Sequence, residues 1–483
     1  GGAGGATSRR CYGVMGDPVN LSARLMQRAA DRQVLVESSV RRAAAVPFHW
    51  DDLAPITVKG KSQPIEVSSA AGHRLRSGNR LRGRAYHLPL FGRAEQIEVL
   101  RGVLDRAVGG RGQVVGLVGE AGMGKSRLVA EVLQRAEAAG ATCVGGECQS
   151  FGINAGYHVW HAVWRDVFGL DGNDSVRAQI AAIEAELTRI DPALVERLPL
   201  LGAATNLGID DNDLTASFDA ALRKASLEEL LVTVLRAKVR EQGPTVLVIE
   251  DAHWLDPLSH DLLEAIGRGI SDLPVLVLTV YRPPDAGRLA APKVSRLPHF
   301  TEVRMEGLPD DDMRELATAK LQRLSGVGVA PAPELLDLVC ARAEGNPFYI
   351  EELVNFLDDR GVDVTSADAL REVQLPDSLH SLILGRIDQL TEDQRTLLKV
   401  ASVIGRLFQV AMLWGVHQAY ADRSDLQRQL DLLEQHDLTT LDSPEPELAY
   451  LFKHVLTQEV AYETLAFATR SVLHEQIASY IET

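Results

Sequence analysis

Cysteine is scarce, with four in 483 residues, and Cys11, Cys143, Cys148 and Cys340 never stand at C-x-x-C spacing. That excludes a disulfide framework or a cysteine-held zinc, and it suits buried thiols in a reducing cytoplasm. No apolar run approaches the roughly 18 residues of a spanning helix. Positive charge is in deficit, with 50 Lys and Arg against 66 Asp and Glu, a net −16. A chain so acidic is not expected to coat nucleic acid or to bind DNA. A signal peptide and an initiator Met are also missing. The chain opens on Gly1 and closes inside the helical pattern Ser471–Glu482, so a fragment of a longer protein is expected. Its length suits roughly three domains.

One stretch organises what is present: Gly119, Glu120, Ala121, Gly122, Met123, Gly124, Lys125 and Ser126 fit G-x-x-x-x-G-K-[ST]. The valine-rich run Gln113–Val118 before it reads as a buried parallel strand, and Arg127–Ala138 has apolar residues at helical spacing. Glycines let the backbone N–H groups turn toward a phosphate, and the helix start adds its positive dipole end. Lys125 then supplies a point charge and the Ser126 hydroxyl a ligand for Mg²⁺, with Arg127 beside them. ATP or ADP with Mg²⁺ is the expected ligand. A second acidic motif is Thr245–Asp251 (TVLVIED). Parallel strands deliver their ends to the ligand edge of a sheet, so Glu250 and Asp251 would arrive beside the Mg²⁺. One would hold the ion and the other orient a water; which does which stays open. Pro274–Val280 is a further buried strand ending at Arg282. Strands alternating with helices imply a doubly wound parallel sheet.

Residues 1–72 carry a different pattern. Gly16-Asp17-Pro18 is a turn, and Val19–Ala30 a helix with Asn20 and Arg24 on one face. The run Gly16–Arg24 resembles the G-[DN]-x-V-N-x-[AS]-[AS]-R signature of class III adenylate/guanylate cyclases. Val34–Val36 matches a strand of that family, Ser38–Ala45 a helix, Phe48–Leu53 the turn before the last hairpin, and Val58-Lys59-Gly60-Lys61 its closing motif. The resemblance implies that Asn20 orients a ribose, Arg24 stabilises charge on an α-phosphate and Lys59 reaches the triphosphate. The family acts as a dimer. Its metal-binding aspartates would lie upstream of Gly1, and Gly13 replaces a base-selecting side chain.

Residues 73–88, rich in Gly and Arg with no aromatic stacking pattern among the arginines, read as a basic linker. Phe91, Gly92 and Arg93, just ahead of the P-loop strand, resemble the F-x-G-R motif of AAA+ and STAND (signal-transduction) ATPases, where it lies against the adenine and ribose. In the same family the arginine matching Arg282 faces the γ-phosphate. Gly345-Asn346-Pro347 resembles its GxP motif, whose proline packs on the nucleotide. Phe452-Lys453-His454 resembles its F-[RK]-H run, in which His454 would reach the β-phosphate of ADP. Asp256 reads as a helix cap.

The expected architecture is an α/β multidomain chain. It comprises a partial cyclase α+β piece (1–72), a linker (73–88), a doubly wound P-loop core (89–300), a helical arm (301–372), a winged-helix-like domain (373–465) and the start of a further helical region (466–483). The expected function is an ATP/ADP switch with slow hydrolysis in a cyclase-linked signalling protein, its partner an unidentified protein or small-molecule effector. A ring-forming AAA+ motor and a transcription regulator of the maltose-regulator type are the alternatives. Because a cyclase needs two metal ions on its aspartates, residues 1–483 are expected to form no cyclic AMP with Mg²⁺ or Mn²⁺. Appreciable formation in a direct assay would overturn this.

Overall fold

The computed structural model describes residues 88–149, 155–170, 174–283, 292–325, 331–365, 376, 378–417, 423–443 and 448–482. Of the first 76 residues it describes 2–3, 12–13, 21–22, 25–26, 28, 34–37, 50–53, 65 and 67–70. The chain divides into two compact units, Gly1–Arg76 and Ser77–Thr483. Among the described residues no helix is long and apolar enough to cross a membrane.

In the first unit, β1 (Gly2–Ala3) and β2 (Tyr12–Gly13) form an antiparallel pair. A second sheet has the order β3 (Val34–Glu37), β5 (Val67–Ala70), β4 (Trp50–Asp52). Leu21 and Leu25, at i, i+4 on a helix, bury against Val67. Trp50–Asp52, expected within a turn, is instead a strand. It lies along Ser68–Ala70 and pairs the edge of β5 that β3 leaves open. Asn20, Arg24, Lys59, most of the Val58–Ile65 run and the Ser38–Ala45 segment lie outside the described residues.

The second unit is built on a five-stranded, all-parallel sheet. Its strands are β6 (Gln113–Gly119), β7 (Thr142–Glu147), β8 (Thr245–Glu250), β9 (Val275–Tyr281) and β10 (Phe300–Met305), in the order β10-β6-β9-β8-β7. β10 carries the sheet past the domain boundary expected at residue 300. Strand residues alternate between two apolar layers, as the period of two requires. Val115 and Leu117 face one layer with α1 (Ala94–Val108) and α2 (Lys125–Ala138). Val114 and Val118 face the other, with α3 (His158–Phe168), α4 (Val176–Ile190), α5 (Ala220–Gln242) and α6 (Pro257–Gly269). Trp160 and Trp164, one turn apart on α3, are fully buried in that second layer.

Beyond the sheet, α7 (Asp310–Ser325), α8 (Pro333–Ala343) and α9 (Pro347–Asp359) share one apolar cluster. Then follow α10 (Leu379–Gln389), α11 (Glu392–Ile404), β11 (Leu407–Gln409), α12 (Val410–Val416), α13 (Arg423–Gln435), β12 (Thr439–Ser443), β13 (Ala449–Phe452), α14 (Val455–Glu463) and α15 (Phe467–Glu482). The three short strands form an antiparallel sheet in the order β11-β13-β12. A buried ion triad ties this C-terminal module to α9. Arg386 on α10 donates from Nη1 to Glu352 Oε2 at 2.8 Å and from Nε to Asp359 Oδ2 at 3.0 Å, while its Nη2 reaches the His436 carbonyl.

Arg386 and Glu352 have side chains only 2% and 1% exposed, so neither charge can fall back on water. Glu352→Ala is therefore expected to lower stability by about 3 kcal/mol or more, because it leaves a guanidinium under-compensated in the interior. Pairing Glu352→Leu with Arg386→Met should recover most of that loss. Denaturant unfolding followed by helical circular dichroism checks both.

Candidate functional site

Gly119 ends β6 and Lys125 begins α2, so the intervening loop joins a buried strand to a helix N-terminus. Gly122 and Gly124 sit at φ +83° and +85°, in the left-handed region that costs a side-chain-bearing residue about 1–2 kcal/mol. Gly122 also lies close against the start of α9. A Cβ there would stand 2.6 Å from Asn346 Oδ1 and 3.0 Å from Phe348 Cβ. Asn346 caps α9, accepting from the Phe348 N–H at 3.0 Å, and its amide donates to the Ala121 carbonyl at 3.3 Å. One side chain thus holds the loop against the next helix.

Lys125 Nζ folds over the loop, donating to the carbonyls of Gly119 at 2.7 Å and Glu120 at 2.8 Å. Burial pushes this ammonium down to about 8, opposed by Asp251 and reinforced by Arg282. The Ser126 hydroxyl lies 3.5 Å from Glu250 Oε2. Glu250 is the buried last residue of β8, and Asp251 follows at φ +50°. Two hard oxygens converging beside an ammonium suit Mg²⁺, so the donor set fits the expected ion. Asp251 is 3.8 Å from Arg406 Nη1, which also pairs with Glu147 at the end of β7. Arg282, just past β9, donates to Glu459 Oε1 on α14 at 2.8 Å. His253 stays neutral, driven to about 3 by burial and then by Arg282 and Lys125.

Arg93, expected against the adenine and ribose, lines the cavity and also ties the loop to its surroundings. Its guanidinium is buried and donates to Glu306 O at 2.7 Å and Met123 O at 3.3 Å, bracing the loop against the end of β10. Arg127 reaches the Leu88 carbonyl. Asp256 is the cap expected, accepting from the Leu258 and Ser259 N–H groups at 3.0 Å.

A cavity of about 750 Å³ gathers these groups, within the range of small-molecule sites. Phe91, Arg93, Ala121–Arg127, Glu250, Asp251, Arg282, Pro347 and His454 all line it. Gly119 and Glu120 lie outside the lining but hold Lys125 through their carbonyls, and Gly92 packs close to Asp312 and Leu308. His454 packs on Phe348 with ring centroids 3.9 Å apart and planes tilted by 38°, and its Nε2 lies 3.9 Å from Glu351 Oε2. Burial opposes charge on Glu351, yet His454, Lys320 and Lys453 together hold its carboxyl at about 2. Sequence reasoning missed Arg406, Glu351 and Lys320, which also line the cavity, and Glu459, which lies outside the lining and pairs with Arg282. It named Asn346 only as the middle residue of the GxP motif, although Asn before Pro is an N-cap signal.

Residues 89–278 match the family described as AAA ATPase domain. An uncharacterized protein of Rhizobium meliloti is 28% identical over 477 residues, spanning 96% of this chain and 44% of the relative. Adenylate cyclase type 10 of Rattus norvegicus is 20% identical over 526 residues, spanning 97% of this chain and 32% of the relative. The chain therefore spans less than half the length of these curated relatives. Among solved structures, a signal-transduction ATPase with a tetratricopeptide repeat sensor from Pyrococcus horikoshii is 14% identical with a TM-score of 0.43, covering 79% of this chain and 44% of that one. The Aeropyrum pernix ORC1 protein in complex with DNA is 14% identical with a TM-score of 0.38, covering 82% and 98%.

Two outcomes follow from the loop. Gly122→Ala should abolish nucleotide binding while leaving helical content intact, since the added methyl meets Asn346 in a backbone region alanine avoids. ADP affinity should fall as pH rises through about 8, by up to about tenfold per pH unit. The free ammonium deprotonates there, whereas a bound phosphate keeps it charged. Titration calorimetry from neutral to alkaline pH, with Lys125→Arg expected to flatten the profile, checks the second.

Proposed function

We propose that this chain binds ATP and ADP with Mg²⁺ and works as a slowly hydrolysing switch. The observation that carries the reading is one cavity with two walls. Glu250 comes from the parallel sheet and Lys125 and Ser126 from the helix start that follows β6, while Pro347 and His454 come from the starts of two C-terminal helices. A nucleotide held there touches both, so its phosphate count can bias how they sit together.

In this reading the loop N–H groups and Lys125 hold the β- and γ-phosphates. Ser126 and Glu250 hold Mg²⁺, which when bound neutralises phosphate charge. Asp251, one residue beyond Glu250, orients the attacking water, and Arg282 stabilises charge on the γ-phosphoryl group. Phe91 and the apolar side chains near it receive the base. Pro347 packs on the nucleotide, and His454 meets the β-phosphate of ADP. Hydrolysis is slow because a switch needs a long-lived bound state.

The order of motifs in residues 1–72 and the adenylate cyclase relative support a place in a longer cytoplasmic, cyclase-linked regulator. There Asn20, Arg24 and Lys59 would serve a dimeric cyclase, and an unidentified protein or small-molecule effector would set the switch. Lys125→Ala is expected to lose retention of ADP and ATP. Arg282→Ala should keep ADP binding and slow single-turnover hydrolysis by about tenfold or more. Equal retention by Lys125→Ala would sink the reading, and rapid, concentration-dependent turnover with ring assembly would favour a motor.

A further inference from the structure

The ends of β9, β8 and β7 are neighbours, and each is followed or finished by a charged residue: Arg282, Asp251 and Glu147. The C-terminal module meets them with opposite charges in the matching order. Glu459 on α14 takes Arg282 at 2.8 Å, and Arg406 takes Glu147 and Asp251. Arg406 is anchored for this. Gly405 turns the chain out of α11, and the Arg406 carbonyl accepts from the Phe452 N–H at 2.8 Å, fixing it to the β11–β13 sheet.

Both pairs occupy groups that hydrolysis would use. We infer that Glu459 and Arg406 form a charge-keyed clasp that makes the closed arrangement select a nucleoside diphosphate over a triphosphate, an inference that rests on the nucleotide-switch reading above. The physical reason is competition. Arg282 and Lys125 line the same cavity, so a γ-phosphate there draws Arg282 away from Glu459. The released carboxylate then faces added negative charge at short range. A diphosphate leaves the pair intact. Arg406 meanwhile keeps Asp251 engaged, so water orientation waits until the clasp parts.

The test compares calorimetric affinities for ADP and a slowly hydrolysed ATP analogue in the unaltered chain and in Glu459→Gln. The unaltered chain should prefer ADP, and the variant should shrink that preference about tenfold while retaining ADP binding. Arg406→Met is the second variant, read by release of a fluorescent ADP and by single-turnover hydrolysis; both should speed up. An unchanged ADP-to-ATP ratio in Glu459→Gln, with both nucleotides bound, overturns the clasp and leaves the switch reading standing. Slower hydrolysis in Arg406→Met, as deep as in Arg282→Ala, also overturns it and makes Arg406 a transition-state group. Failure of the unaltered chain to bind either nucleotide removes both readings.

Discussion

Parallel pairing of β6, β9 and β8 is the constraint on which the site depends. It forces the chain to leave every strand at the same edge, so residues 119, 250 and 282 converge although more than a hundred positions separate the first from the others. Each crossover must return over a face of the sheet, and that supplies the two apolar layers that bury the strands. The loop at Gly119–Ser126 is then an inevitable gap between a buried strand and a helix start. Its glycines decide only how tightly it closes.

The opposite wall rests on a different interaction. Asn346 satisfies its own helix start and the Ala121 carbonyl with one side chain. The α9 helix it begins is fastened at its other end by Arg386, which bonds Glu352, Asp359 and the His436 carbonyl together. Arg93 braces the loop from the β10 side. The cavity is therefore held by side chains that each join elements distant in the chain, rather than by one continuous domain.

What was legible in the sequence was local. The P-loop, the strand ending in Glu250 and Asp251, the strand before Arg282 and the cap at Asp256 all show in short windows, because periodicity and capping are short-range physics. Pro347 and His454 were reached through resemblance, and both line the cavity. Arg406 and Glu459 gave no local signal. Their partners lie 259 and 177 positions away, and a charged residue just past a helix, as Arg406 is, or in the middle of one, as Glu459 is, looks like any solvated one. Trp50–Asp52 was misread for a related reason: three residues become a strand only because β5 offers an open edge. The expected domain boundary at 300 fell inside β10, whose half-exposed edge position gives a weaker apolar pattern than β6 or β9.

The triad around Arg386 has a mechanical consequence. With one end of α9 pressed on Gly122 and the other clamped into the C-terminal module, the helix behaves as a rigid rod about 20 Å long. A tilt of about 10° at the Asn346 end would carry the Asp359 end some 3 Å, on the order of a hydrogen-bond length. Any tilt at the loop end would therefore be felt as a displacement on the scale of the polar contacts that hold Asp359.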